Sequence, residues 1–118
     1  MLYTNLIHLE TAADLYGIIR ENDRVLVVCG RMDPQCVPVY RIAEELAKAY
    51  GKVKFCDMEF DNPESLAIRN LIQVIGLMEI PYVAYYMNGE FVDATSGIQT
   101  EDQVIEMMHA TFKITMNV

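Results

Sequence analysis

The chain has 118 residues, a mass of 13.5 kDa, 53% apolar residues and a mean hydropathy of +0.15. That suits one domain, spanning 1–118, with a sizeable core, and it excludes a disordered chain. Seventeen acidic residues against nine basic ones give a net charge of −8, so neither nucleic acid nor an anionic membrane surface is an expected partner. The longest apolar-looking stretch, 71–87, is broken by Gln73, Glu79 and Pro81, so no membrane span is expected. No basic stretch followed by an apolar run opens the chain, so no secretory signal is expected. The three cysteines Cys29, Cys36 and Cys56 form no Cys-x-x-Cys pair. An odd count points to a reducing, cytoplasmic setting rather than a disulfide framework. His8 and His109 are far apart in sequence and near no cysteine. Neither a metal nor a cofactor is therefore expected, and both histidines are read as structural.

Residues 4–9 read as a short first strand. Thr11, with Asp14 three residues on, caps a helix whose apolar stripe is Leu15, Ile18 and Ile19; Glu21-Asn22-Asp23 ends it. Arg24 to Cys29 contains the run Val-Leu-Val-Val-Cys, the pattern of a strand buried on both faces. Gly30 to Gln35 is a loop. A second helix runs from about Pro38 to Tyr50, with Val39, Ile42, Leu46 and Ala49 at helical spacing. Residues 52–60 form an interior strand, in which Val53, Phe55 and Asp57 share one parity. Pro63 opens a third helix carrying Leu66, Leu71, Ile72 and Ile75, and Gly76 stops it. Residues 82–87 and 91–94 pair as a hairpin through Asn88-Gly89, which both tolerate the positive φ of a type I′ turn. Thr100 caps a last helix with Val104, Met107 and Met108 inward. The tail from Phe112 to Val118 reads either as an added strand or as a frayed end. The order β-α-β-α-β-α-β-β-α implies an α/β fold with mainly parallel first strands and helices on both faces of the sheet.

Three stretches then resemble the thioredoxin family over nearly the whole chain. They are Val25–Cys36 with the helix that follows, Val53-Lys54-Phe55 with Asp61, and Ile80-Pro81-Tyr82 through Asn88-Gly89 to Gly97. The resemblance implies a thioredoxin-like three-layer fold: a central mixed sheet of about five strands, residues 24–29 central, and a cis Pro81 beside the active loop. It also implies what this chain lacks. The family's Cys-x-x-Cys falls on Asp33-Pro34-Gln35-Cys36, so the attacking thiol is replaced by Asp33 and the second cysteine is kept as Cys36. The covering tryptophan falls on Cys29, the buried acid on Val27 and its lysine partner on Asp57. A shorter likeness links the chain to phosducin-like proteins, which keep one cysteine at the position of Cys36. Some of these also carry a Val-Lys-Phe strand, and they bind partner proteins.

Several residues carry two readings. Asp33-Pro34 is a cap and first helical position, or Asp33 is a carboxylate acting on a ligand. The helix begins either at Pro34 or at Pro38. Cys36 is a functional thiol favoured by the helix N-terminus, or a covered, inert one. Cys29 and Cys36 either pair or stay separate. Cys56 is read as core. The backbone of Ile80, left free by Pro81, pairs with an extended segment in the family. Glu79 and Asp33 form an acidic rim selecting basic or polar partners, or are solvated charges. Met32 is the methionine expected to be exposed.

The resulting expectation is a thioredoxin-like protein without the attacking cysteine. It binds a protein or extended peptide through Asp33, Pro34, Ile80 and Pro81, and homodimerises through the tail if that segment pairs with a sheet edge. The alternative is a thiol redox protein working through Cys36 alone or through a Cys29–Cys36 disulfide.

Overall fold

In the computed structural model, residues 2–114 are described, apart from the side chains of residues 73 and 74. The elements are β1 (Ile7–Leu9), α1 (Ala12–Glu21), β2 (Arg24–Gly30), α2 (Val37–Ala49), β3 (Lys54–Glu59), a 3₁₀ turn (Pro63–Ser65) running into α3 (Leu66–Val74), β4 (Tyr82–Met87), β5 (Glu90–Ser96) and α4 (Glu101–Phe112). Of the tail expected from Phe112 to Val118 as strand or frayed end, Phe112 instead closes α4 and is buried with Ile114, because both pack into the core against α2, and residues 115–118 lie outside the described residues.

The sheet order is β1-β3-β2-β4-β5. β3 runs parallel to β1 and β2, while β4 is antiparallel to β2 and β5. β2 is therefore central, as its unbroken apolar run requires: Val25 through Cys29 are each 0% exposed. The two side-chain parities of the sheet feed two cores. Leu26, Val28, Phe55, Val83 and Tyr85 pack against α2 and α4. Val25, Val27, Cys29, Cys56 and Met58 pack against α1 and α3.

Local signals set the element ends. Thr11 Oγ1 accepts from Asp14 N at 3.0 Å and Asp14 Oδ2 accepts from Thr11 N at 3.2 Å, a reciprocal cap. Thr100 and Gln103 repeat the device at the start of α4. Asn88 and Gly89 have φ of 53° and 85°, both in the left-handed region that joins β4 to β5 tightly.

The structure departs from the sequence reading in four places. β1 is three residues long rather than six. In α2 the buried stripe is Val39, Tyr40, Ala43 and Leu46, and Ala49 is exposed. In α3 the residues that face the sheet are Ile68 and Ile72, whereas Leu66, Leu71 and Ile75 are exposed. The preceding 3₁₀ turn is anchored by Ser65, which is fully buried and whose Oγ donates to Phe60 O at 2.8 Å. Met32, expected to be exposed, is half-buried against the α2 core, and among the described residues Met78 is the exposed methionine, at 87%. Tyr82, Tyr85 and Tyr86 are all buried.

Candidate functional site

The site is built where β2 ends, α2 begins and β4 is entered. Asp33 opens a turn: its C=O accepts from Cys36 N at 3.2 Å and Val37 N at 3.0 Å, and its Oδ1 accepts from Gln35 N at 3.1 Å and Cys36 N at 2.8 Å. α2 starts after that turn, at Val37, with Pro38 in its first helical turn. There the missing N–H of Pro38 removes no intrahelical bond. Asp33 therefore has the geometry of a cap, and the bonds from Cys36 hold its carboxyl below the usual carboxylate range. Pro34, at the top of the same turn, is exposed.

Cys36 sits under this turn, 0% exposed. Its Sγ accepts the backbone N–H of Arg31 at 3.4 Å. Burial pushes its thiol up to about 11, outweighing the Arg31 bond that favours the thiolate. Cys36, Pro81 and Tyr40 converge on Gly30. A Cβ at position 30 would lie 2.9 Å from Cys36 Sγ, 3.0 Å from Pro81 Cβ and 3.0 Å from Tyr40 Oη. Only a glycine permits that approach. The hydroxyl of Tyr40 is buried with no partner among the described residues, and burial raises its pKa.

The Ile80–Pro81 peptide bond is cis. Gly97 N donates to Pro81 O at 3.0 Å, which ties the end of β5 to the entry of β4. Neither the N–H nor the C=O of Ile80 has a hydrogen-bond partner among the described residues. Its side chain is half-buried and touches both cores.

Cys29 does not join this group. Its side chain points to the other face of the sheet, into the core with Cys56 and Met58, whereas Cys36 belongs to the α2 core. All three cysteines are free, and burial pushes Cys29 and Cys56 up to about 12. The parallel register sets Val27 beside Cys56, not Asp57. Asp57 takes the opposite parity. It is 1% exposed, accepts from the Thr4 hydroxyl, and its Oδ1 lies 2.7 Å from His8 Nδ1. Burial outweighs these bonds and leaves its carboxyl raised. His109 lies 3.2 Å from Tyr50 Oη, so each histidine contacts a core side chain. Among the described residues no group of three or more His, Cys, Asp or Glu is placed to hold a metal, and no described helix is long and apolar enough to cross a membrane.

A cluster not singled out from the sequence borders the site. Phe60 N donates to Gly30 O at 2.8 Å and the Phe60 ring lies 6.0 Å from that of Tyr82. The guanidinium carbons of Arg31 and Arg69 lie 4.9 and 5.1 Å from the Phe60 ring centre. Arg31 holds Asp61 through Nε and Nη2, each at 2.8 Å. The sequence signal was slight: one aromatic at a strand end and two arginines separated by 38 positions.

Sheet order, helices on both faces, and a buried cysteine opposite a proline at the strand entry define a protein of thioredoxin-like fold. Solved structures bear this out at chain length. A mutant thioredoxin from Halobacterium salinarum superposes with a TM-score of 0.75 at 18% identity, over 98% of this chain and 99% of that one. Thioredoxin f from spinach chloroplast gives 0.73 at 16% identity, covering 91% and 93%. The thioredoxin of Fasciola hepatica gives 0.71 at 28% identity, covering 90% and 99%. No protein-family model and no curated protein sequence matches the chain.

Proposed function

We propose that this chain, as a single thioredoxin-like domain, binds a protein or extended peptide on the surface formed by Pro81, Ile80 and the 31–36 loop, without dithiol turnover. The observation that carries the reading is the Ile80 backbone. Its N–H and C=O make no hydrogen bond among the described residues and lie at the entry of β4, next to Pro81, whose Cβ closes on Gly30. An extended segment laid there gains main-chain hydrogen bonds in the manner of strand addition. By the resemblance to thioredoxins Asp33 falls at the position of the attacking thiol, and its carboxylate accepts from the Cys36 and Gln35 amides. Cys36 is covered and its thiol raised, which disfavours the nucleophilic thiolate.

A thiol redox role is the second reading, because the structural neighbours are thioredoxins by name. Two experiments test the first reading. Insulin reduction driven by dithiothreitol stays at background; a rate well above background overturns it. Cysteine-free peptides selected from a displayed library shift the backbone amides of Ile80 and residues 31–36; binders that map elsewhere, or an absence of binders, overturn it.

A further inference from the structure

We propose that the segment bound at this surface carries an acidic side chain, and that Arg69, beside Arg31 on Phe60, is the group that takes its carboxylate. The inference rests on the peptide-binding reading above and adds the chemistry of the partner. Arg69 Nε donates to Ser65 Oγ at 2.7 Å, and this bond fixes the plane of the guanidinium. The two terminal nitrogens have no partner among the described residues, and no carboxylate there forms an ion pair with them. A guanidinium held at Nε and open at its terminal pair presents a fork of the right shape for a carboxylate. Arg31 differs: Asp61 already occupies its Nε and Nη2. Phe60 brings the two arginines together and, through Gly30 and Tyr82, joins them to the Pro81 surface.

The surroundings agree. In a chain with seventeen acids, residues 65–78 contain none. The same stretch leaves Leu66, Leu71, Ile75 and Met78 exposed. A partner there meets exposed apolar side chains and the Arg69 cation, whose neighbouring carboxylate, Asp61, is already held by Arg31. The acids that border the groove are directed elsewhere: Asp61 onto Arg31, Asp33 onto the turn amides, and Glu79 toward Gly97, where a Cβ would lie 2.6 Å from its Oε2.

The net charge of −8 disfavours acidic ligands at long range, so a preference for one must come from a local site. The test compares two short, extended, acetylated peptides alternating leucine with glutamate or with glutamine, titrated into the full chain and followed by amide and arginine Nε–H shifts. The glutamate peptide is expected to bind about tenfold more tightly and to shift both Ile80 and Arg69. Arg69→Gln abolishes that preference, and Arg69→Lys, which keeps the charge and loses the fork, retains only part of it. Equal binding of the two peptides at Ile80, or a preference that survives Arg69→Gln in a variant with native amide dispersion, overturns the inference and leaves the peptide-binding reading intact. No shift at Ile80 with either peptide overturns both.

Discussion

Asp33 grips Cys36 by the backbone: its Oδ1 accepts the Cys36 N–H at 2.8 Å, one turn before α2 begins. The bond satisfies a donor that has no intrahelical partner at a helix start. It also places the carboxylate where it stabilises the turn instead of facing a ligand. Asp33→Ala is expected to cost about 1 kcal/mol in urea unfolding at neutral pH, and Asp33→Asn less, because asparagine caps as well. The folded-state carboxyl is held low, so its contribution is present above the unfolded pKa of about 3.9 and is lost as pH falls through the folded value. An Asp33→Ala effect that grew on acidification would sink the cap.

Cys36, Pro81 and Tyr40 close on Gly30 and leave no room for a side chain there. Gly30→Ala sets a Cβ 2.9 to 3.0 Å from all three, closer than packed atoms allow. The expected loss is about 2 kcal/mol, with amide shifts concentrated at Arg31, Cys36 and Pro81's neighbours. Near-wild-type stability would mean that the three side chains yield easily and that the site is looser than its geometry.

The thiols give a kinetic prediction. With Cys36 pushed up to about 11 and Cys29 and Cys56 to about 12, iodoacetamide labelling mapped by mass is slow at neutral pH. Cys36 labelling keeps rising past the free-thiol value of about 8.5, and Cys29 and Cys56 label only on unfolding. A Cys36 rate that levels off near neutral pH, or a mixed disulfide formed readily with oxidised glutathione, would favour the redox reading over the binding one.

Asp57 supplies a stability titration of the opposite sign to Asp33. Burial raises its carboxyl despite the Thr4 and His8 bonds. The stability it contributes is therefore complete below the unfolded pKa of about 3.9 and is lost as pH rises through the folded value. Wild-type stability minus that of Asp57→Asn should decline across that window and be flat above it. A difference that increases with pH would show that the His8 and Thr4 bonds outweigh the burial.

Much of the local architecture was legible in the sequence. Thr11 with Asp14, Thr100 with Gln103, the Asn88-Gly89 turn and the apolar run of β2 each sit within a few residues and carry their own geometry. The candidate site was legible only as a set of positions. Asp33, Cys36 and Pro81 stand in their expected neighbourhood, while Gly30, Tyr40 and the Phe60 cluster become neighbours only when β2, β3 and α2 meet.

By itself the amino-acid sequence determined the order of strands and helices, their caps and turns, and the absence of a Cys-x-x-Cys pair, because these follow from propensity and spacing along the chain. The stripes of α1 and α4 were also legible, with Leu15, Ile19, Val104 and Met108 buried, but the tertiary structure decided the buried side elsewhere. It put Cys29 and Cys36 on opposite faces of the sheet and Cys56 beside Val27, and it turned Leu66, Leu71 and Ile75 outward. The physical reason is that side chains in a strand alternate at period two and in a helix at 3.6. A small change of register or rotation, set by distant partners, therefore moves a residue from core to surface without altering the local pattern.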